Sequence, residues 1–88
     1  MKTIYKYQLP VLHGLGLLML PQGARPLHVD TQDDTPYVWM EVDTGGTPVN
    51  RPFACVWTGR EVPDDAKNMT YIGTAVGRSD GLVTHYYM

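Results

Sequence analysis

Three acidic side chains, Glu61, Asp64 and Asp65, crowd the short polar segment TGREVPDDAKN at residues 58–68. Carboxylates placed this closely can act as an acid–base pair or hold a cation. Their spacing lacks the alternating oxygen ligands of a calcium-binding loop, so the pattern favours a solvated turn. The alternative is a loop that contacts a partner, because binding residues occur disproportionately on loops.

A second chemical motif is Asp43-Thr44-Gly45, which follows an apolar run. Aspartic proteases of the retroviral kind are small all-β dimers that use Asp-Thr-Gly at such a place, pairing two carboxyls to activate a water. Trp39 and Glu41 replace the small apolar residues expected before that motif, and Gly46-Thr47-Pro48 follows where serine or alanine is usual. The tripeptide is also ordinary turn chemistry, so we expect a loop and keep the protease as an alternative.

The remaining ligand-type residues are His13, His28, His85 and the single cysteine, Cys55. The spacing of the histidines matches no metal-ligand pattern, and we expect neither a metal nor another cofactor. Cys55 lies inside an apolar run, which predicts a buried small hydrophobic residue rather than an activated thiol.

Tyrosine and tryptophan are abundant, with six and two copies respectively, more than one small core can enclose. Such side chains either pack in the core and cover edge strands or anchor an interface. We take the following as candidates for binding a partner or ligand: Tyr37, Trp39, Trp57, Arg60, Asp64, Asp65 and Tyr86.

The elements that must position these residues are short strands. The chain has 88 residues, which predicts a single domain over 1–88. Alternating or apolar runs predict strands near 1–10, 15–20, 24–31, 37–43, 53–59, 70–77 and 81–88. Hairpin connections are expected at 44–48 and 78–81, and one helical turn at Pro63–Lys67. The fold class is therefore all-β, a small antiparallel sandwich or partly open barrel of six or seven strands.

The net charge and the hydropathy of the chain restrict the classes of partner that it can bind. The net charge is −2 and the basic residues are scattered, which disfavours nucleic acid as a partner. The most apolar stretch, VLHGLGLLML at 11–20, is too short to cross a membrane as a helix, and its glycines and His13 disfavour a signal peptide.

The opening MKTIYKY resembles that of a family of small uncharacterised bacteriophage and prophage proteins. The resemblance continues in Thr35-Pro36 before a Trp-containing strand, in the Thr58-Gly59 and Pro63-Asp64-Asp65 turns, and in Tyr71-Ile72-Gly73-Thr74. The chain departs from that family in VLHGLGLLML and in Asp43-Thr44-Gly45. The resemblance implies a phage origin and a location in the host cytoplasm, and it implies no catalytic residues.

Together these observations favour a non-enzymatic phage accessory protein that binds a host protein, for instance to counter a defence system. The chain itself is a second expected partner, as a homo-oligomer. An alternative is an oligomeric protein that sequesters a nucleotide-like signal, with aromatic rings stacking on bases and arginines meeting phosphates. The arginines available for this are Arg25, Arg51, Arg60 and Arg78. A minor virion component is a further alternative.

Overall fold

The computed structural model describes residues 1–88 and contains seven strands in two open antiparallel sheets, with one 3-10 turn. The strands are β1 (Lys2–Gln8), β2 (Gly14–Pro21), β3 (Arg25–Gln32), β4 (Thr35–Asp43), β5 (Pro48–Trp57), β6 (Tyr71–Val76) and β7 (Val83–Tyr87), and the 3-10 turn spans Asp64–Asn68. The predicted all-β class, strand number and single helical turn are confirmed. The sheets do not close into a barrel, so the sandwich is the correct alternative.

The first sheet has the strand order β1-β4-β3 and the second the order β2-β5-β7-β6. The expected hairpin at residues 44–48 is wrong, because β4 pairs with β1 and β3 whereas β5 pairs with β2 and β7. Glycine and proline indicated a reversal of the chain but not which strands it joins. The segment instead carries the chain from one sheet to the other.

The core lies between the sheets and follows from the alternation of side chains along each strand. Pro36 at the start of β4 is buried, and so are Val38, Met40 and Val42, which share one face of the strand as the period-two pattern predicted. The latter three meet Phe53 and Cys55 of β5, together with residues of the flanking strands. Cys55 is fully buried, and this burial raises the pKa of its thiol.

Strands β3 and β6 approach each other closely across the sandwich. Gly73 of β6 has φ +153°, and a Cβ placed there would lie 2.6 Å from Cβ of Val29 on β3. Only glycine fits so close a contact in that backbone conformation. Each open sheet has two edge strands, β1 and β3 in the first and β2 and β6 in the second. The edges β3 and β6 pack against each other, whereas the far sides of β1 and β2 carry no strand, so we call β1 and β2 the free edges.

The β3–β4 hairpin has a two-residue turn within the polar cluster Gln32–Pro36. Asp33 and Asp34 have φ of 50° and 64°, and the strands pair from Gln32 and Thr35 onward. Positive φ at both central residues defines the type I′ turn, which matches the twist of paired strands. The hairpin at Arg78–Gly81 between β6 and β7 is also present as predicted, because these strands pair directly.

Candidate functional site: the outer face of the first sheet

The outer side of the first sheet presents two aromatic rings next to each other on its central strand. Tyr37 and Trp39 alternate with the buried residues of β4, so both project away from the core and are half-exposed. Their ring centroids are 6.3 Å apart, and the ring of His28 on β3 lies 6.1 Å from that of Trp39. These three rings form an exposed amphipathic row across β4 and β3.

Charged side chains of the neighbouring strands surround this row. Lys6 on β1 places its Nζ 4.4 Å from the centroid of the Tyr37 ring and donates to Oε1 of Gln32 at 2.8 Å. Glu41 lies 3.4 Å from a guanidinium nitrogen of Arg25 and 4.0 Å from Nζ of Lys2. Exposed pairs of this kind contribute little to stability, so these charges are available to set partner preference.

We call this surface the aromatic face and define it by Lys6, Arg25, His28, Tyr37 and Trp39. Lys6 forms no ion pair, whereas Glu41 is shared by two cations. The face therefore combines aromatic rings with the ammonium of Lys6 beside Tyr37, and the carboxylate of Asp30 lies on the same face, 3.6 Å from Nε2 of His28. Tyrosine, tryptophan and arginine are the side chains enriched at protein-binding hot spots.

Trp57 and Arg60 lie elsewhere, at the end of β5. The indole N–H of Trp57 donates to the carbonyl of Val11 at 2.7 Å, and its backbone N–H donates to Nδ1 of His13 at 3.2 Å. The guanidinium of Arg60 lies 5.8 Å from the Trp57 ring centroid. Trp57 thus fastens the β1–β2 connection to the second sheet, and it does not join the aromatic face.

Asp64 and Asp65 belong to the 3-10 turn, which lies over the outer side of the second sheet. Asp64 pairs with Lys67 at 2.8 Å, and Ala66 between them is fully buried. Asp65 lines a shallow, largely apolar groove with five residues of β2, β5 and the turn's end. These are Leu15, Gly16, Leu17, Pro52 and Met69.

Tyr86 has no surface position, which corrects the expectation that it binds a partner. It is fully buried in the core, where its hydroxyl donates to the carbonyl of Pro10 at 2.9 Å. Burial raises the pKa of its phenol. Alternation placed Tyr86 and Tyr87 on opposite sides of β7, and the sequence alone did not show which side faces inward.

Asp43 makes the contacts of a turn residue. Its Oδ1 accepts a hydrogen bond from the backbone N–H of Gly45 at 3.0 Å and from the N-terminal amine at 3.3 Å. These two donors hold the pKa of the Asp43 carboxyl below its usual value. The observed geometry accounts for Asp-Thr-Gly as a chain reversal between the sheets.

No group of three or more His, Cys, Asp or Glu side chains is arranged to hold a metal ion. His85 of β7 is held from both ring nitrogens: Nε2 lies 2.8 Å from the hydroxyl of Thr58 and Nδ1 lies 2.9 Å from that of Thr74. The hydroxyl of Tyr71 extends this chain of polar contacts through Thr74.

Two arginines, one on β3 and one on β5, line the same concavity beside the start of β6. Arg25 and Arg51 line a shallow open concavity of about 420 Å³ together with the ring of Tyr71. Arg51 also donates to the carbonyl of Ala24, which fixes its position. The other residues that line the concavity are Pro26, Thr70, Ile72 and Met88.

The sequence reasoning missed an exposed apolar stripe on β2. Leu15, Leu17 and Met19 are 51%, 63% and 58% exposed. A strand that is apolar on both faces is typical of a buried strand, which concealed the stripe. The available signal for the orientation of β2 was its two glycines, Gly14 and Gly16. Gly16 lies on the inner face, where the absence of a side chain leaves room for the ring of Phe53.

No helix of the structure combines the length and the apolar character needed to cross a membrane. The model of a family described as a domain of unknown function (DUF7352) matches residues 1–88. No curated protein and no solved structure matches the chain.

Proposed function

The chain belongs to the DUF7352 family, which carries no assigned activity, and we propose from its surface that it is a non-enzymatic phage accessory protein that binds a host protein. The binding blunts a host activity such as a defence system and takes place in the host cytoplasm. The observation that carries the proposal is the aromatic face, with Tyr37 and Trp39 side by side and Lys6 beside them.

The chemistry of this face specifies a partner. Rigid aromatic rings lose little conformational entropy on binding and supply most of the energy at protein interfaces. The unpaired ammonium of Lys6 attracts a carboxylate, and a charged rim steers association. The matching surface is therefore an apolar patch of a folded host protein bordered by aspartate or glutamate.

The phage part of the proposal rests on the resemblance of MKTIYKY and the later turn motifs to small phage and prophage proteins. The size of the chain, 88 residues, suits a protein that acts by occupying a surface.

The experiment is a comparative capture from bacterial lysates with three immobilised proteins: wild type, Trp39→Ala and the control Val76→Ala. Val76 is 55% exposed and lies at the end of β6 on the second sheet. We expect one host protein to be enriched by wild type and by the control and lost with Trp39→Ala. Affinity for the purified partner should fall about 30-fold, the equivalent of a hot-spot loss of about 2 kcal/mol.

Lys6→Glu tests the charge requirement separately. It should weaken binding of the same partner and reduce its salt dependence, because an attraction across the rim becomes a repulsion. Equal capture by wild type and Trp39→Ala, or no enriched protein from several hosts, would overturn the proposal.

The concavity of Arg25 and Arg51 favours a second candidate function, the sequestration of a nucleotide-like small molecule. Two guanidinium groups suit phosphates, and the ring of Tyr71 can stack on a base. Thermal shift against a panel of cyclic nucleotides tests this, with Arg25→Gln expected to abolish the shift and Arg78→Gln, at the distant β6–β7 turn, expected to preserve it. The absence of any shift across the panel would refute this second candidate.

A further inference from the structure

The exposed stripe of Leu15, Leu17 and Met19 lies on a strand whose far side is unpaired. These side chains project from the outer face of the second sheet, because their partners in register on β5 are Ala54, Pro52 and Asn50, none of which belongs to the core cluster between the sheets. A stripe of this kind on an edge strand combines two features that drive association, free backbone hydrogen-bonding groups and unburied apolar area.

We propose that two copies of this chain pair antiparallel along β2, which joins their four-stranded second sheets into one continuous eight-stranded sheet. The proposal is independent of the partner that the aromatic face binds, because that face belongs to the other sheet.

Strand β2 lacks the usual protections of an edge. It contains no charged residue, pairs with β5 without a bulge, and has its only proline, Pro21, at its last position. Natural edge strands normally carry lysine, an internal proline or a bulge that discourages pairing. The other free edge, β1, has Lys2 and Lys6 on its outward face.

This difference in charge selects a second copy as the occupant. An uncharged strand meets its own copy without repulsion, whereas two β1 strands would bring lysines together. The carboxylate of Asp65, which lines a groove with Leu15 and Leu17, belongs to the 3-10 turn and not to the strand. The self-complementary surface required by a two-fold axis is therefore present on β2 and absent from β1.

The pleat restricts the register. Residues directly opposite in an antiparallel pair share a face, so the stripe of one copy must meet the stripe of the other. The register in which the two stripes overlap completely places Leu17 on the two-fold axis and Leu15 opposite the partner's Met19. On the inner face it sets Gly16 opposite the partner's Leu18, a small residue against a large one.

The test is the solution mass by light scattering over a range of concentrations. The chain has a mass of 9.9 kDa, and wild type should have twice that mass. Leu17→Lys places two ammonium groups at the axis and should weaken the dimer about 100-fold or more. The matched control is Ile4→Lys, an equally exposed apolar residue at 55% on β1, which should leave the dimer intact.

A second variant keeps the test decisive if the charged variant fails to fold. Leu17→Cys should form an intermolecular disulfide under mild oxidation because the axis brings the two residues together, whereas Ile4→Cys should not. Trp39→Ala should remain dimeric, which separates this proposal from the one on the aromatic face. A monomeric wild type at high concentration, or dissociation by Ile4→Lys with Leu17→Lys still dimeric, would overturn it.

Discussion

The hydroxyl of Tyr86 donates a hydrogen bond to the backbone carbonyl of Pro10 at 2.9 Å across 76 positions of sequence. Tyr86 lies in β7 of the second sheet, and Pro10 lies just after β1 of the first. Because Tyr86 is fully buried, its hydroxyl needs a partner within the protein, and the carbonyl of the exposed Pro10 supplies it. This contact ties the two sheets together near the chain's first crossing between them.

Replacement of Tyr86 by phenylalanine should lower the free energy of unfolding by about 1–2 kcal/mol, because the ring stays packed while the Pro10 carbonyl loses its donor. Urea denaturation followed by fluorescence measures this change. The matched control is Tyr87→Phe, since Tyr87 is half-buried and its hydroxyl makes no hydrogen bond. An equal effect of both substitutions would mean that the Tyr86–Pro10 bond contributes nothing specific.

Alkaline pH should destabilise the protein. Burial raises the pKa of the Tyr86 phenol above 10.0 and that of the Cys55 thiol above 9.0. Unfolded chains release these protons at lower pH than folded ones, so the unfolding free energy should be flat below about pH 9 and fall as the pH rises further.

The same urea titration at pH 7–11 checks this dependence. Tyr86→Phe removes one of the groups whose pKa burial raises and leaves Cys55 and Tyr7, so its stability should fall less steeply above pH 10 than that of wild type. Identical slopes for wild type and Tyr86→Phe would contradict the assignment of the dependence to Tyr86.

Much of the fold could be predicted because its signals are local. The alternation of Val38, Met40 and Val42 with Tyr37, Trp39 and Glu41 predicted β4 as a strand with one apolar face, and the structure buries that face. Pairing between distant strands has no local signal. Residues 44–48 therefore suggested a hairpin, although the chain crosses there to the other sheet.

The candidate site was predicted in part for the same reason. Tyr37 and Trp39 lie on the outer face because their neighbours are apolar and alternate with them. Tyr86 was misplaced because β7 is aromatic on both sides, and only the packing of the second sheet decides which side is inside. The stripe on β2 was hidden because apolar residues occupy both of its faces.

Asp34 should stabilise the protein through its carboxylate. The backbone N–H groups of Arg78 and Ser79 donate to Oδ1 at 2.8 Å and 3.1 Å, and the Ser79 hydroxyl also donates to this carboxylate. The bonds join the β3–β4 turn to the β6–β7 turn. Asp34→Gly keeps the positive φ that the type I′ turn requires but removes these acceptors, so its melting temperature should fall.

Asp33→Gly is the matched control, because Asp33 occupies the other central position of the turn and its side chain makes no hydrogen bond. It should leave the melting temperature unchanged or slightly higher, since glycine tolerates positive φ. Equal melting temperatures for the two variants would show that the carboxylate of Asp34 adds no stability.

Acid should remove the contribution of the Asp34 carboxylate to the stability of the fold. The Ser79 hydroxyl and the two backbone N–H groups hold the pKa of its carboxyl below 3.8. A group whose pKa is lower in the folded than in the unfolded protein stabilises the fold at pH values above its unfolded pKa. This stabilisation is lost as the pH falls through its folded pKa. The stability difference between wild type and Asp34→Gly should therefore shrink below about pH 4, as thermal melts at pH 2–7 would show.

Gly73→Ala should destabilise the sandwich where β6 meets β3. The new Cβ would lie 2.6 Å from Cβ of Val29, and φ of +153° disfavours any side chain. Overpacking of this kind costs about 1–3 kcal/mol, measured by urea denaturation. Gly45→Ala is the control, because its Cβ would have Asp43 Oδ1 at 3.6 Å as its nearest neighbour. If Gly73→Ala is as stable as Gly45→Ala, the two strands are not locked at this distance, and the close approach does not constrain the packing of the two sheets.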